Sequence, residues 1–424
     1  MSSETHVNEG VPQPPKTFWG KLRAIGPGMM VAGAFVGTGT ITTSIVAGTE
    51  NGYQLLWASV TFAIILVIIL QEMVARLTLA SGNTLATLIR SKLGLWGGII
   101  AVLAIFGGNV VYSVGNVNGV ALATTSMPGN FPPVVWVVIV TLLYWGLLMI
   151  GKFNVLEKLI TCLVIVMSAV FLIDMIAVGP NYGEMIKGLT IPEFSSSQVL
   201  LVTGLIGTTV VPYNLYLHSS AVLERGWHKN PKGFTGLARL DTIIPMCIGG
   251  LVTMAVGVTA AAVLNPRFLE GTLKIENAAD MSTALEPILG PFAYVFFNIG
   301  LFAAAVSSMP MAALSAAYVT TETFNMSNDL KAPGFRIILS LVAWLPVIIF
   351  VVMNSSPIAT IIAAQSINGM LLPITAVFVL IFVNRKSIMG DLVNKAWLNV
   401  LAFVAVGFVC FLGIVNILKA IGVV

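Results

Sequence analysis

The residues best suited to hold a small solute form a short polar run inside an apolar segment. Gly37, Thr38, Gly39 and Thr40 stand in the middle of that segment, which is the first of the chain. Glycine costs about 1 kcal/mol per helix position relative to alanine, and threonine hydroxyls compete for backbone hydrogen bonds. The run therefore indicates either a helix broken at a binding site or a close helix crossing built from small residues.

A second polar run surrounds a proline in the sixth apolar segment. It comprises Thr208, Thr209, Val211, Pro212, Tyr213 and Asn214. Proline inside a helix removes one hydrogen bond and clashes with the preceding turn, so we expect the helix to break there. The first and sixth segments are corresponding members of two five-segment halves. Interrupted helices at matching positions are typical of inverted-repeat transporters, which bind substrate near the bilayer midplane. The pairing favours the broken-helix interpretation.

Other polar residues inside apolar segments could move protons or simply join helices. Asn109 and Tyr112 fall on one helical face of the third segment, which must contact protein or water rather than lipid. His218 follows Asn214 by four residues and could relay protons or pack in a polar seam. Asp241, near the start of the seventh segment, is expected to cap a helix. The remaining site candidates are Ser307, Ser308 and Gln365.

The composition is that of a membrane protein, because 57% of the 424 residues are hydrophobic and only 9% are charged. An apolar window of about 20 residues can span a bilayer as a helix. We expect an all-α protein with about eleven such helices, of which helices 1 and 6 are broken. The windows lie at 25–48, 54–78, 94–123, 134–150, 156–178, 198–220, 240–264, 288–319, 335–353, 356–384 and 396–418.

The domain organisation and orientation follow from the same pattern. Residues 1–20 are expected to form a disordered cytoplasmic tail, and 21–424 a single transmembrane domain. Its repeats are placed at about 25–178 and 198–384, with an extra helix at 396–418. With the N-terminus in the cytoplasm, few of the 21 basic residues lie outside, which is the usual bias. The C-terminus is then extracytoplasmic, in what we expect to be a bacterial inner membrane. The basic residues left outside are Lys187, Arg267, Lys274 and Lys419.

Several function classes are disfavoured. The chain has no zinc-finger, P-loop, nucleophile-elbow or zinc-protease spacing, so we expect neither an enzyme nor a bound cofactor. Its basic residues lie in loops rather than in one stripe, which argues against a nucleic-acid partner. The cysteines at 162, 247 and 410 lie within apolar segments and predict no disulfide framework. The expected partners are a small inorganic ion and the lipid bilayer, and the expected state is a monomer.

Several motifs resemble the natural-resistance-associated macrophage proteins. They are Gly26-Pro27-Gly28, Gly48 to Trp57, Pro212 to Ser219, Gln365 to Pro373 and Ile388-Met389-Gly390. The resemblance covers about nine-tenths of the chain. It implies a leucine-transporter-type fold of five plus five inverted helices, with substrate held between broken helices 1 and 6. It also implies proton-coupled uptake of manganese, iron and related divalent metals.

The departures from the family pattern fall on the metal and proton sites. The family's Asp-Pro-Gly-Asn is replaced by Gly37 to Thr40, and its Met-Pro-His-Asn by Val211 to Asn214. The family's Asp and Glu on the third segment match Asn109 and Tyr112. Magnesium-selective relatives lose the thioether but keep the carboxylate, so the chain does not fit that branch. The resemblance therefore leaves the substrate open.

The missing carboxylate leads to an expectation about charge. A carboxylate about 4 Å from a divalent ion contributes roughly 8 kcal/mol of electrostatic stabilisation at an effective dielectric near 20. A helix end contributes only about 0.3–2 kcal/mol. Two half-helix N-termini with hydroxyl and amide donors suit a small anion. We therefore expect a secondary transporter of an anion such as bicarbonate. The alternatives are a divalent-metal transporter for manganese, iron or magnesium, a channel, and a receptor-like membrane domain. Sodium coupling would use oxygens around Ala34, Gly37, Ser307 and Ser308.

Overall fold

The computed structural model describes residues 12–26, 28, 36–125, 131–151, 153–353 and 355–422. Residues 1–11 of the predicted tail and the predicted sodium ligand Ala34 lie outside these ranges. A short helix, α1 (Phe18–Ala24), begins inside the stretch predicted as a tail. Its N-terminus is capped by Thr17, whose Oγ1 accepts a hydrogen bond from the Gly20 N–H at 3.1 Å.

The described chain is helical throughout, without strands. Nine helical stretches of the described chain are long and apolar enough to cross a membrane, one of them being Ser196–Glu224, which contains the break of the sixth segment. In the fifth predicted segment, Val164–Ala177 is a shorter apolar helix. The helices after α1 are α2 (Thr38–Asn51), α3 (Ala63–Ser81), α4 (Leu85–Thr124), α5 (Pro133–Ile150), α6 (Phe153–Ala177), α7 (Tyr182–Thr190), α8 (Val199–Thr209), α9 (Pro212–Glu224), α10 (Pro231–Leu269), α11 (Ala278–Ser282), α12 (Glu286–Leu289), α13 (Ala293–Thr323), α14 (Pro333–Met353), α15 (Pro357–Val383), α16 (Lys386–Met389) and α17 (Ala396–Ala420).

The sixth segment breaks where the proline predicts. Helix α8 ends at Thr209, and Val210 leaves the helical region with φ −103° and ψ 66°. Val211 is extended, and Pro212 is the first residue of α9. Proline suits that position, because the first residue of a helix needs no backbone N–H partner. The two halves of this segment are therefore separate helices joined by an extended hinge.

The first segment also contains a helix start rather than a continuous helix. Gly37 is extended, with φ −108° and ψ −172°, and α2 begins at Thr38. Gly37 supplies no side chain to cap the helix, so the first N–H groups of α2 depend on other partners. Helix α2 therefore starts inside the polar run of the first segment.

The third segment begins where predicted, although the helical stretch that contains it starts earlier. Its expected start, Gly94, lies inside α4, where it adopts a left-handed conformation with φ 72° and ψ −167°. That conformation is open to glycine but strained for other residues, and it separates a helix that starts at Leu85 from the helix that continues to Thr124. Helix α4 packs along α13 and α15, so its polar face is enclosed by protein.

Small residues bring helices close around the breaks. A Cβ atom added to Gly207 would lie 2.1 Å from the backbone oxygen of Gln365 and 2.5 Å from the Gly369 nitrogen. Only glycine can therefore occupy position 207, where α8 crosses α15 at backbone contact distance. This crossing fixes the end of α8 against the helix that carries Gln365. Close packing through small residues, the alternative considered for the run at Gly37, therefore also occurs at Gly207.

Candidate functional site

The two breaks meet in the centre of the protein. Thr40 on α2 and Thr208 on α8 share a hydrogen bond between their Oγ1 atoms, at 3.0 Å. Both residues are almost completely buried. The side chains of the two predicted runs are therefore adjacent, although they lie 168 positions apart in the sequence.

Helices α4 and α13 close the site beside Gly37. A Cβ atom added there would lie 2.7 Å from the Ser308 Oγ and 3.3 Å from the Tyr112 hydroxyl oxygen. The Ser308 hydroxyl also donates to the Ala304 carbonyl at 3.3 Å, as Ser307 does at 2.9 Å. Gly37, Tyr112 and Ser308 are therefore brought together, whereas the Ser307 hydroxyl donates within its own helix.

Two amide side chains are buried at the breaks without hydrogen-bond partners among the described residues. Asn214 and Gln365 are fully buried, and both the oxygen and the nitrogen of each amide lack a partner. Gln365 packs against α2, since a Cβ atom added to Gly39 would lie 2.3 Å from its Nε2 atom. An unpaired buried amide costs about 1–3 kcal/mol. Groups left in this state at a break in the helices are suited to binding a solute.

The remaining residues of the two runs line the same region less directly. Thr38 packs against Gly119 of α4, and its hydroxyl has no partner in the described part of the chain. Thr209 donates to the Leu205 carbonyl at 3.2 Å, so its hydroxyl is used within α8. Val211 is buried in the hinge and offers no polar side chain.

Two aromatic rings, one from α4 and one from α9, pack together beside the site. The rings of Tyr112 and Tyr213 pack edge to face, with centroids 5.3 Å apart and an interplanar angle of 65°. The Tyr213 carbonyl accepts a hydrogen bond from Ser315 at 3.3 Å. Both rings are buried, so they join the third segment to the hinge of the sixth segment.

The predicted relay residues do not form one chain. The Asn109 Nδ2 donates to the Ala312 carbonyl at 2.8 Å, which joins α4 to α13. His218 instead contacts Gln71 on α3, with 2.7 Å between Nδ1 and Oε1. Its Nε2 lies 3.5 Å from the Asp241 Oδ2. The structure thus places Asn109 in a helix seam and His218 beside a buried carboxylate.

The expectation that Asp241 caps a helix is wrong. Asp241 lies inside α10, is fully buried, and accepts hydrogen bonds from the Gly26 N–H at 2.7 Å and the Gly28 N–H at 2.8 Å. Its carboxylate therefore ties the start of the first segment to α10 and faces His218. The partners are more than 200 positions apart and cannot be paired from the sequence, although a carboxylate inside an apolar segment is itself a signal of a functional or structural role.

The chemistry of the site is that of uncharged oxygen and nitrogen groups. Among the described residues no group of three or more histidine, cysteine or acidic side chains could hold a metal. The available donors and acceptors are hydroxyls, two amides and backbone groups at the helix ends. Helix α8 ends at the break, and the last turn of a helix leaves carbonyl oxygens free for other partners. The break therefore presents oxygen ligands as well as N–H donors.

A family model described as natural resistance-associated macrophage protein-like matches residues 28–419. The chain belongs to this family. A divalent metal cation transporter, MntH, from Pectobacterium carotovorum is 27% identical over 386 residues, which cover 89% of this chain and 90% of that protein. A relative of the same name from Klebsiella pneumoniae is 29% identical over 408 residues, with 92% of each chain covered.

The solved structure of a manganese transporter from Eremococcus coleocola has the same fold. Its TM-score is 0.79 at 23% identity, covering 99% of this chain and 91% of that one. The predicted fold class is therefore confirmed, namely a leucine-transporter-type membrane protein with broken first and sixth helices. The predicted family is confirmed by the family match, and the chain is an integral membrane transporter.

The expectation of an anion such as bicarbonate is wrong. The curated relatives are named as divalent metal cation transporters, and the similar structure is a manganese transporter. Two half-helix N-termini and a missing carboxylate favour an anion, but the carbonyl end of α8 and the oxygens of two amides are ligands that hard cations accept. Sodium coupling finds no support in these relatives either.

Proposed function

We propose that the protein is a secondary active transporter of a divalent metal cation. The observation that carries the proposal is the family match over residues 28–419, together with relatives named for divalent metal transport that cover nearly the whole chain. The paired helix breaks support a carrier rather than an open channel, because alternating access moves one bundle around a central site.

The proposed cation site uses neutral oxygen ligands. Asn214 and Gln365 would each contribute an amide oxygen, and Thr40 and Thr208 their hydroxyl oxygens, at the point where α2 and α8 meet. Oxygen ligands of this kind suit hard cations such as magnesium and manganese, which keep several waters in such sites. Because no thioether or thiolate is available at Val211, the site should not favour soft metals.

Neutral ligands also predict weak binding. Each carboxylate opposite a divalent ion at about 4 Å would add roughly 8 kcal/mol at an effective dielectric near 20, and this site has none among its described residues. The bound ion should therefore retain much of its hydration and dissociate readily. We propose a transporter of low affinity, in which the unpaired amides replace part of the hydration shell.

Topology and assembly complete the proposal. The N-terminus lies in the cytoplasm and the C-terminus outside, because most basic residues then fall in inner loops. The first repeat covers about residues 25–178 and the second about 198–384, followed by a further helix at 396–418. We propose that one chain is the transport unit, since each half of the central site comes from the same chain.

Uptake by proteoliposomes tests the proposal. Purified protein is reconstituted with an internal indicator, and manganese, magnesium and calcium are added outside in separate runs. We expect saturable uptake of at least manganese or magnesium above that of protein-free vesicles, at concentrations well above the micromolar range. A cadmium run serves as a soft-metal comparison and should show less uptake. Absence of flux for every divalent cation would overturn the proposal.

A further inference from the structure

A groove of about 470 Å³ lies away from the central site, between the outer faces of α5 and α14. Most of its wall is apolar, and it contains two tryptophans whose rings pack edge to face with centroids 6.2 Å apart. Several wall residues are well exposed, including Ile337 and Ile348. The residues that line it, called here the α5–α14 groove, are Trp145, Met149, Arg336, Ile337, Ser340, Leu341, Trp344, Leu345 and Ile348.

One end of the groove carries a positive charge. The guanidinium of Arg336 donates from Nη2 to the Met149 carbonyl at 3.1 Å and from Nε to the Leu330 carbonyl at 3.1 Å. Both acceptors are neutral, and no ion pair involves Arg336 within the described ranges. The side chain is half-buried, so its position is fixed while N–H groups remain for another acceptor.

The polar groups in the middle of the groove already have hydrogen-bond partners within the protein. The Trp145 Nε1–H donates to the Ser340 Oγ at 2.9 Å, which joins α5 to α14 across the floor. Ser340 in turn donates to the Arg336 carbonyl at 2.7 Å. The floor therefore offers no strong polar group to a ligand, and the groove is apolar along its length with a cationic end.

The occupant must match that distribution of charge. Both helices are long and apolar enough to span a membrane, so their outward faces contact lipid. An acyl chain fits an apolar groove along a span, and a phosphate accepts from a guanidinium through charge-assisted hydrogen bonds. Basic pockets between spans on the cytoplasmic side are suited to anionic headgroups. Arg336 lies at the end of α14 that is predicted to face the cytoplasm.

We propose that the α5–α14 groove binds an anionic phospholipid of the cytoplasmic leaflet. One acyl chain lies along Leu341 and Trp344, and the phosphate accepts hydrogen bonds from Arg336. This site is separate from the central cation site and does not depend on which ion is carried. A lipid held here bridges the fourth and ninth predicted segments, which belong to different repeats.

Native mass spectrometry of the full chain, released from nanodiscs, tests the site. The nanodiscs contain equal amounts of phosphatidylglycerol and phosphatidylcholine. We expect at least one phosphatidylglycerol to be retained in preference to phosphatidylcholine. The variant Arg336→Gln should lose that preference by about tenfold, because a charge-assisted pair becomes a neutral contact. Leu341→Trp should reduce retention of both lipids by filling the groove.

The matched control is Arg90→Gln. Arg90 is also half-buried and also donates to a backbone carbonyl, that of Thr323, at 2.9 Å, but it does not line the groove. It should retain phosphatidylglycerol as the wild type does, and thermal melting confirms that each variant is folded. Equal retention of the two lipids by the wild type, or equal loss in both arginine variants, would overturn the proposal. So would dimers that disappear in Leu341→Trp, because a second copy would then occupy the groove.

Discussion

At the scale of single residues, the central site is defined by polar groups left without partners. Asn214 and Gln365 are fully buried, and neither amide makes a hydrogen bond within the described chain. The buried amide of Asn416, by contrast, donates to Thr203 at 2.7 Å. An unpaired buried amide lowers the stability of the substrate-free protein. Removing an amide that also binds the substrate should therefore raise stability and weaken binding.

Replacing Gln365 with leucine tests whether its amide lowers stability and contributes to binding. We expect Gln365→Leu to raise the melting temperature, because an unpaired amide is removed from the interior, and to weaken manganese binding by about tenfold or more. Thermal melting and calorimetry measure the two effects. Asn416→Leu is the control, and it should lower the melting temperature without changing binding. A Gln365→Leu protein that is destabilised and binds normally would show that Gln365 has a structural role.

A carboxylate returned to the first break should strengthen metal binding. At Gly37 a new Cβ atom would meet the Ser308 Oγ at 2.7 Å, so the serine must be shortened as well. We expect Gly37→Asp with Ser308→Ala to bind manganese at least tenfold more tightly than Ser308→Ala alone, because a charged ligand faces the ion. Calorimetry of both variants makes the comparison. Equal affinities would mean that Gly37 does not face the bound cation.

At the scale of helices, the breaks are held by contacts between distant segments. The carboxylate of Asp241 accepts from the backbone of Gly26 and Gly28, so α10 anchors the start of the first segment. Asparagine keeps one acceptor oxygen but turns a donor toward the second N–H, which costs about 1–3 kcal/mol. Movement of the first segment should be sensitive to this anchor.

Hydrogen exchange in Asp241→Asn tests the anchor directly. We expect the amides of Gly26 and Gly28 to exchange faster in the variant than in the wild type, since one of them loses its acceptor. Asp391→Asn removes an exposed carboxylate that pairs with Lys232 and serves as the control. Unchanged exchange at both glycines in Asp241→Asn would contradict the anchoring role.

The crossing of α8 and α15 predicts a second effect at this scale. Gly207→Ala places a Cβ atom within 2.1 Å of backbone on α15, so the two helices must separate and the protein should lose several degrees of melting temperature. Gly107→Ala is the control, because a Cβ atom there has no neighbour within 4 Å and alanine favours the helix. Equal melting temperatures for the two variants would refute the close crossing.

The sequence revealed the breaks but not the contacts that surround them. Pro212 and the glycines near position 37 are local signals, since each disfavours a helix wherever it stands. The pairing of Thr40 with Thr208, and of Asp241 with Gly26, depends on how segments pack and has no local signal. The charge of the substrate was misjudged for a related reason, because helix N-termini are visible in a sequence whereas the acceptors that face them depend on the fold.

At the scale of the whole molecule, the proposed substrate class rests on the family to which the fold belongs. The family match covers residues 28–419, and relatives named as divalent metal cation transporters cover about nine-tenths of the chain. The scaffold of paired broken helices is kept, while the ligands at its centre are uncharged in the described chain. Such a site is compatible with cation transport if the ion keeps part of its hydration.

The most direct test of this conclusion is the concentration dependence of manganese uptake in proteoliposomes containing the wild type or Gln365→Leu. We expect saturable uptake by the wild type, half-maximal well above micromolar concentration, and an increase of about tenfold or more in that concentration for Gln365→Leu. Asn416→Leu should follow the wild-type curve. Uptake indistinguishable from that of protein-free vesicles in all three preparations, at concentrations up to the millimolar range, would contradict divalent metal transport through the central site.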